Sequence, residues 1–254
     1  MATTEGTFVW YELTTTDVAS ARAFYAAVAG WRVADTGMPG LRYGVASLGE
    51  RPVAGIVAPP AGREDMPTAW IGSIGVADVD AMVRRVAQAG GSLHRPPADI
   101  AGIGRFAVVA DPQGAPFALF RSSGTAPPDL APGTPGTVGW HELRTTDWQA
   151  AFAFYGGLFG WQAAYAHDMG PMGIYQTFSA GGAWTGGMMT GASATGPHWH
   201  FYIAVDDIDA AVARVTAAGG TVQDGPHPVP GDSWVAVAHD PQGAGFGLTG
   251  PRRG

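Results

Sequence analysis

The chain carries the same sequence pattern twice, and this internal repeat constrains its fold more than any other feature. A block running from Trp10 to Trp31 recurs 130 residues later, from Trp140 to Trp161. A second block, residues 70–91, recurs as 199–220, and Asp-Pro-Gln-Gly at 111–114 returns at 240–243. A repeat of this length is a whole domain, because solenoid units are much shorter.

The repeat predicts two domains, residues 1–123 and 137–254, joined by a linker at 124–136. The linker is predicted from the prolines that cluster with Gly, Ser and Thr in this stretch. Each half contains short apolar strands and two segments with helical spacing, of which the first follows the N-cap candidate Asp17. The order is strand, helix and then several strands, twice in each half. The sequence therefore predicts an α+β protein of four βαβββ units.

Composition and charge exclude several classes of function. The chain contains no Cys and no Lys, which removes thiolate metal sites, Cys nucleophiles and Schiff-base chemistry. The net charge is −7 without a basic stripe, so no nucleic-acid partner is expected. No apolar run reaches the ~20 residues of a membrane span, and residues 1–5 do not resemble a signal peptide. We expect a cytoplasmic monomer or homodimer whose partner is a small molecule.

Several motifs of the chain occur together, and in the same order, in one protein family. They are Asp17 followed by Ala23-Phe24-Tyr25 and Gly30-Trp31, its copy from Asp147 to Trp161, residues 205–208 before a helix, and the two Asp-Pro-Gln-Gly turns. With them the chain resembles the vicinal oxygen chelate superfamily, which includes glyoxalase, extradiol dioxygenases, and bleomycin- and fosfomycin-resistance proteins. The Trp-x-Glu-Leu opening of each half resembles a tandem branch described as hydroxylase-like or glyoxalase-like. The resemblance implies that the two units of each domain form a curved sheet around a cavity.

The resemblance also implies where metal ligands would stand. The corresponding positions are Trp10, a position at or beside Gly55, Ile71 and Ala118 in domain one, and Trp140, a position at or beside Gly187, His200 and Gly247 in domain two. Only His200 can bind a metal, whereas a stable zinc or iron site needs three or four protein ligands. We therefore expect no tightly bound metal in domain one. For domain two, two alternatives remain open: no cofactor, or a divalent metal (Zn, Fe, Ni or Mn) held by His200 and Glu142.

Strand alternation predicts which side chains face each cavity. Trp199, Phe201 and Ile203 form an apolar face that must cover the helices, which leaves His198, His200 and Tyr202 toward the cavity. Leu13 and Leu143 likewise belong to the helix side, together with His141. The predicted catalytic residues are Glu142 and His200, and the predicted ligand-binding residues are Trp140, Tyr202, His198, Glu12, Trp10 and Met188. The site is placed in domain two because domain one has Ile71 and Ser73 where domain two has His200 and Tyr202.

Each of these residues also has a structural interpretation. Glu142 could be held by Arg144 or by loop amides, His198 could be a strand-end histidine, and Trp10, Trp140 and the methionines could be core residues. Two functions follow. The first is a metal-independent binding or resistance protein for an apolar or aromatic carbonyl or diol ligand. The second is a lyase, isomerase or oxygenase that uses Glu142 and His200, with or without a divalent metal.

Overall fold

The computed structural model describes residues 5–37, 42–124, 130–191 and 196–253. They form four βαβββ units, as the sequence predicts. The first two units contain β1 (Phe8–Thr14), α1 (Val18–Ala29), β2 (Arg32–Asp35), β3 (Tyr43–Leu48), β4 (Arg51–Val57), β5 (Ala69–Gly75), α2 (Val79–Gln88), β6 (Ser92–Ile100), β7 (Gly104–Ala110) and β8 (Pro116–Ser122). The last two contain β9 (Val138–Thr145), α3 (Trp148–Phe159), β10 (Gln162–Asp168), β11 (Ile174–Ala180), β12 (Ala183–Thr190), β13 (His198–Ala204), α4 (Ile208–Ala217), β14 (Thr221–Val229), β15 (Ser233–His239) and β16 (Gly245–Gly250), with a short 3₁₀ turn at Gly170–Met172.

The strands form two mixed eight-stranded sheets with the same order. The first sheet runs β2-β3-β4-β1-β5-β8-β7-β6, and the second runs β10-β11-β12-β9-β13-β16-β15-β14. In each unit the opening strand pairs in parallel with the closing strand, for example β1 with β4 and β13 with β16, whereas the hairpins are antiparallel. The predicted α+β class is confirmed.

The long helices begin and end where the sequence predicts. The carboxylate of Asp17 accepts a hydrogen bond from the amide of Ser20 and caps α1, and Asp147 caps α3 in the same way. Both helices end at a glycine in the left-handed conformation, Gly30 (φ 71°) and Gly160 (φ 72°). Glycine adopts this conformation without the steric cost that a Cβ brings.

The outermost strands β2, β6, β10 and β14 are not evident from the sequence. Edge strands bury little of either face, so they lack the apolar alternation that identifies a strand, and prolines are tolerated there. Three histidines lie on these edge strands, His94 on β6, His167 on β10 and His227 on β14, and a fourth, His239, is the last residue of β15.

By its contacts the chain divides into two compact bodies, each assembled from both halves of the sequence. We call them the first unit and the second unit, and they are not the same as the four βαβββ units. The first unit contains the described parts of residues 1–10, 71–128 and 141–199, and the second contains those of residues 11–70, 129–140 and 200–254. The core of the second unit combines α1 and α4 with strands from both halves, and its buried residues include Phe24, Val28, Ile208, Val215 and Phe246.

Two tryptophans at equivalent repeat positions have equivalent roles. In the first unit Trp161 is stacked on Phe178, with ring centroids 4.4 Å apart, and its indole N–H donates to the carbonyl of Gly6 at 2.6 Å. In the second unit the indole of Trp31 donates to the carbonyl of Gly136 at 2.7 Å. Gly136 has a positive φ of 87°, and a Cβ there would lie 2.8 Å from the carbonyl oxygen of Ala29.

A buried Trp–Tyr–Asp chain holds each Asp-Pro-Gln-Gly turn against a helix. In the second unit the indole of Trp70 donates to the hydroxyl of Tyr25, and that hydroxyl donates to Asp240. Trp199, Tyr155 and Asp111 repeat this in the first unit. Both carboxylates also accept two backbone amides of their own turn. Burial raises the pKa of both carboxyls, while the tyrosine and amide hydrogen bonds lower it.

The predicted linker at 124–136 is only partly described, because residues 125–129 lie outside the described part of the chain. Its remaining portion forms a turn in which the amide of Thr134 donates to the carbonyl of Ala131. Among the described helices, none has the length and apolar character needed to cross a membrane.

Candidate functional site

In the first unit, Glu142 lies beside a glycine that is covered by a tyrosine ring. Glu142 on β9 is level with Gly187 on β12, and Gly187 is level with Thr177 on β11. The ring of Tyr175, two residues from Thr177 on β11, occupies the space that a Cβ of Gly187 would need. A side chain at position 187 would have to displace this ring, so glycine is required here.

The carboxylate of Glu142 is buried and paired. Its side chain is 9% exposed, and its Oε1 accepts a hydrogen bond from Nε of Arg144 at 2.8 Å. The two residues are i and i+2 on one strand, so both side chains project from the same face. The pairing considered from the sequence is therefore present. The first copy has Thr14 where the second has Arg144, so this pair is particular to the second half.

In the second unit, His200 and Tyr202 lie together on β13. Their ring centroids are 5.2 Å apart in an edge-to-face arrangement, and both side chains are buried. Tyr202 is level with Gly247 on β16, and its ring occupies the space that a Cβ of Gly247 would need. A tyrosine over a glycine thus occurs a second time, on another pair of strands.

The opposite face of β13 covers the helices, as predicted. Trp199 donates to Tyr155 of α3, and Ile203 belongs to the core around α1 and α4. His141 was predicted on the helix side, and it stacks on Phe8 with ring centroids 4.4 Å apart. Its Nδ1 donates to the carbonyl of Thr185, and burial lowers the pKa of its imidazole to about 4. His141 is therefore a neutral structural residue.

The other predicted site residues are placed as follows. His198 is half-buried, and its Nδ1 bonds the carbonyl of Gly196 two residues earlier. Trp10, Glu12 and Trp140 are half-buried, and Glu12 is level with Gly55. Met188 is fully buried and level with Leu143, on the face opposite Glu142. Glu142 and His200 belong to different units, so the pairing of their side chains stays a prediction.

The residues present do not fit the metal site that the resemblance implies. Among the described residues, no group of three or more His, Cys, Asp or Glu side chains is arranged to hold a metal ion. One of the four implied positions in the second half is Gly247 and another is at or beside Gly187, and tyrosine rings lie across both glycines. Stable zinc and iron sites need more donors than His200 and a carboxylate already bound to Arg144.

A separate open groove of about 470 Å³ lies in the second unit, away from these residues. It runs from the end of α1 past Leu48 and Gly136 to α4, and its lining includes Arg214, which pairs with Asp206. It contains none of the predicted site residues.

Tyr175 and Arg144 were not singled out as site residues from the sequence. Tyr175 has a counterpart at Tyr43, because β3 and β11 are equivalent strands and both tyrosines precede by two residues the partner of a glycine, Gly55 or Gly187. This pairing of tyrosine and glycine becomes visible only once the strand register is known.

Comparison with known proteins gives a consistent result. The family model described as "Glyoxalase/Bleomycin resistance protein/Dioxygenase superfamily" matches residues 7–119 and 137–248. "Putative glyoxylase CFP32" of Mycobacterium tuberculosis (strain CDC 1551 / Oshkosh) is 38% identical over 251 residues, covering 97% of this chain and 95% of the relative. "Anthracycline biosynthesis protein DauV" of Streptomyces sp. (strain C5) is 35% identical over 265 residues, covering 96% and 92%. The crystal structure of the Mn(II)-bound glyoxalase from Novosphingobium aromaticivorans aligns with a TM-score of 0.68 at 18% identity, covering 98% of this chain and 83% of that one.

Proposed function

The chain belongs to the glyoxalase/bleomycin resistance protein/dioxygenase superfamily, and from that premise we propose that it binds an aromatic small molecule without a metal ion. The observation that carries this proposal is the ring of Tyr202, which lies over Gly247 in the second unit. The ring of Tyr175 lies over Gly187 in the first unit in the same way. At or beside two positions where the family resemblance implies a metal ligand, this chain has the ring of a tyrosine over a glycine.

Such a surface favours one class of ligand. Aromatic rings bind other aromatic rings in stacked or edge-to-face geometry, beyond the gain from burial of apolar area. A tyrosine also has a hydroxyl that can hydrogen-bond a carbonyl or hydroxyl group of the ligand. A planar aromatic ligand with oxygen substituents fits these properties. The name of DauV points to the same chemistry, since an anthracycline is a fused-ring aromatic compound with oxygen substituents.

Binding of two probes tests the proposal. We expect 1,8-dihydroxyanthraquinone and anthracene to quench tryptophan fluorescence and to raise the melting temperature, equally with and without EDTA. Tyr202→Ala should weaken both probes about tenfold, because it removes an aromatic contact and its buried area. Ser73→Ala, at the equivalent position of the first copy, is the matched control and should change neither. Loss of binding in EDTA would refute metal independence.

A second candidate is an enzyme, favoured by the buried carboxylate of Glu142 and by the glyoxylase name of a relative. Here Glu142 would take a proton from carbon next to a carbonyl, with Arg144 holding the carboxylate in place. Turnover of an aryl α-ketoaldehyde such as phenylglyoxal, with a thiol as co-substrate, tests this. Glu142→Gln should abolish turnover, and its repeat counterpart Glu12→Gln should retain it. No turnover by the unaltered protein, or equal loss in both variants, would reject this candidate.

A further inference from the structure

Two imidazoles of the second unit converge on one glycine. His239 at the end of β15 is level with Gly245 at the start of β16. A Cβ added at Gly245 would lie 3.4 Å from Nε2 and Cδ2 of His239 and 3.5 Å from Cε1 of His200. Both rings therefore border the space directly above the Gly245 backbone, and we call them the histidine pair (His200 and His239).

The first copy of the repeat has no such arrangement. The residues equivalent to His200, Gly245 and His239 are Ile71, Pro116 and Ala110. The neighbouring turn, Asp-Pro-Gln-Gly, is the same in both copies. Asp111 follows Ala110, Asp240 follows His239, and each aspartate holds the same kind of turn. The copies thus differ at three positions on three adjacent strands: the second copy has two imidazoles, and the residue between them is a glycine without a side chain.

We propose that the histidine pair binds two oxygen atoms of the ligand, carried on one edge of its aromatic system. This inference rests on the proposed function and specifies which end of the ligand carries oxygen. A neutral imidazole offers one N–H donor and one acceptor nitrogen, so two of them can pair with a carbonyl and a hydroxyl. The edge-to-face contact of His200 with Tyr202 fixes the plane of one ring and brings the aromatic surface next to the histidine pair.

The glycine between the two rings makes a precise test available. A methyl group at position 245 would meet both imidazoles at ordinary van der Waals distance, so Gly245→Ala should fill the space without disturbing the strand. Gly139→Ala is the matched control: it also adds a methyl to a strand of this unit, at 3.5 Å from Thr249 and 3.6 Å from Ala204. His239→Ala removes one partner, and His239→Gln returns a donor and an acceptor.

The experiment measures dissociation constants of 1,8-dihydroxyanthraquinone and anthracene in EDTA. Gly245→Ala and His239→Ala should weaken the hydroxyanthraquinone about fivefold or more, the value of one net hydrogen bond. Both should leave anthracene within about twofold, because anthracene has no oxygen for the histidine pair. His239→Gln should recover part of the loss, and Gly139→Ala should change neither constant.

Three outcomes overturn the inference. Equal weakening of both probes would mean that position 245 only shapes the pocket, and no weakening of either would mean that the histidine pair does not touch the ligand. Discrimination that appears with added Zn²⁺ and vanishes in EDTA would mean that the two imidazoles bind a metal instead. Failure of the unaltered protein to bind either probe would reject the proposed function itself. The experiment therefore distinguishes failure of the proposed function from failure of the inference about the histidine pair.

Discussion

The substitution Tyr25→Phe tests the buried hydrogen-bond chain of the second unit. It removes one hydroxyl and keeps the ring, so it creates almost no cavity. The hydroxyl donates to Oδ2 of Asp240 at 3.3 Å and accepts from Nε1 of Trp70 at 2.9 Å. Asp240 is 4% exposed, so water cannot readily replace the lost donor.

The expected cost follows from these two bonds. A hydrogen bond to a charged group contributes about 1.5–3 kcal/mol and a neutral one about 0.5–1.5 kcal/mol. The 3.3 Å distance is long for an O–H donor, so the charged bond belongs at the lower end. Trp70 is half-buried, so water can partly satisfy its indole N–H after the substitution. We expect Tyr25→Phe to lower the free energy of unfolding by about 2–3 kcal/mol.

The cost should depend on pH. Burial raises the pKa of Asp240, and the Tyr25 hydroxyl lowers it, so the variant's carboxyl has a still higher pKa in the folded state. A raised folded pKa penalises the ionised form, and this penalty is complete above the folded pKa and disappears as pH falls below the unfolded value. The cost of Tyr25→Phe should therefore be larger at about pH 7.5 than at about pH 4.

Urea unfolding followed by circular dichroism at both pH values measures this cost. Tyr155→Phe should behave alike, because Tyr155 makes the same two bonds with Asp111 and Trp199. Tyr165→Phe is the control, since that side chain is 54% exposed and should change stability by less than about 0.5 kcal/mol. A cost for Tyr25→Phe as small as that of the control, or one that grows toward acid, would refute this reasoning.

Two further predictions concern His141, which replaces Tyr11 of the first copy, and Gln113, whose hydrogen bonds differ from those of its counterpart Gln242. Burial lowers the pKa of His141 to about 4, below the value of about 6.5 that an unperturbed histidine has. The neutral imidazole therefore stabilises the fold fully above about pH 6.5, and this contribution is lost as pH falls toward 4. His141→Tyr, which introduces the residue type that the first copy has at Tyr11, should reduce the acid sensitivity of the melting temperature, and an unchanged pH profile would contradict this. The side chain of Gln113 bonds Thr145, Thr146 and the backbone of Asp147 at the start of α3, whereas a single bond from Gln242 reaches Ser20. Gln113→Ala should therefore cost about 2 kcal/mol and Gln242→Ala about 1 kcal/mol in urea unfolding, and the reverse order would count against it.

The parts of the structure that the sequence predicted are those with a local or periodic signal. The capped helices were evident from Asp17 and Gly30 and from their copies, and the faces of β13 followed from the alternation of Trp199 and His200. The edge strands were missed because their residues are exposed on both faces. The histidine pair was missed because His239 meets Gly245 across a strand pair, and register cannot be derived from one strand alone.

The two copies differ in a way that separates scaffold from site. Hydrogen bonds that hold the fold are duplicated, as Trp31 to Gly136 and Trp161 to Gly6 illustrate. Five of the positions discussed for the site differ between the copies, and they are, first copy to second, Thr14 to Arg144, Ile71 to His200, Ser73 to Tyr202, Ala110 to His239 and Ala118 to Gly247. Four of the five place a larger or polar side chain in the second copy, and the fifth removes a methyl group to admit the ring of Tyr202. Because a duplicated scaffold tolerates change wherever its own hydrogen bonds are untouched, such positions can acquire a role in binding while the first copy has smaller or apolar residues there. The separation explains why substitutions at His239 and Gly245 should alter ligand binding with little effect on stability, and why Tyr25→Phe should have the opposite effect.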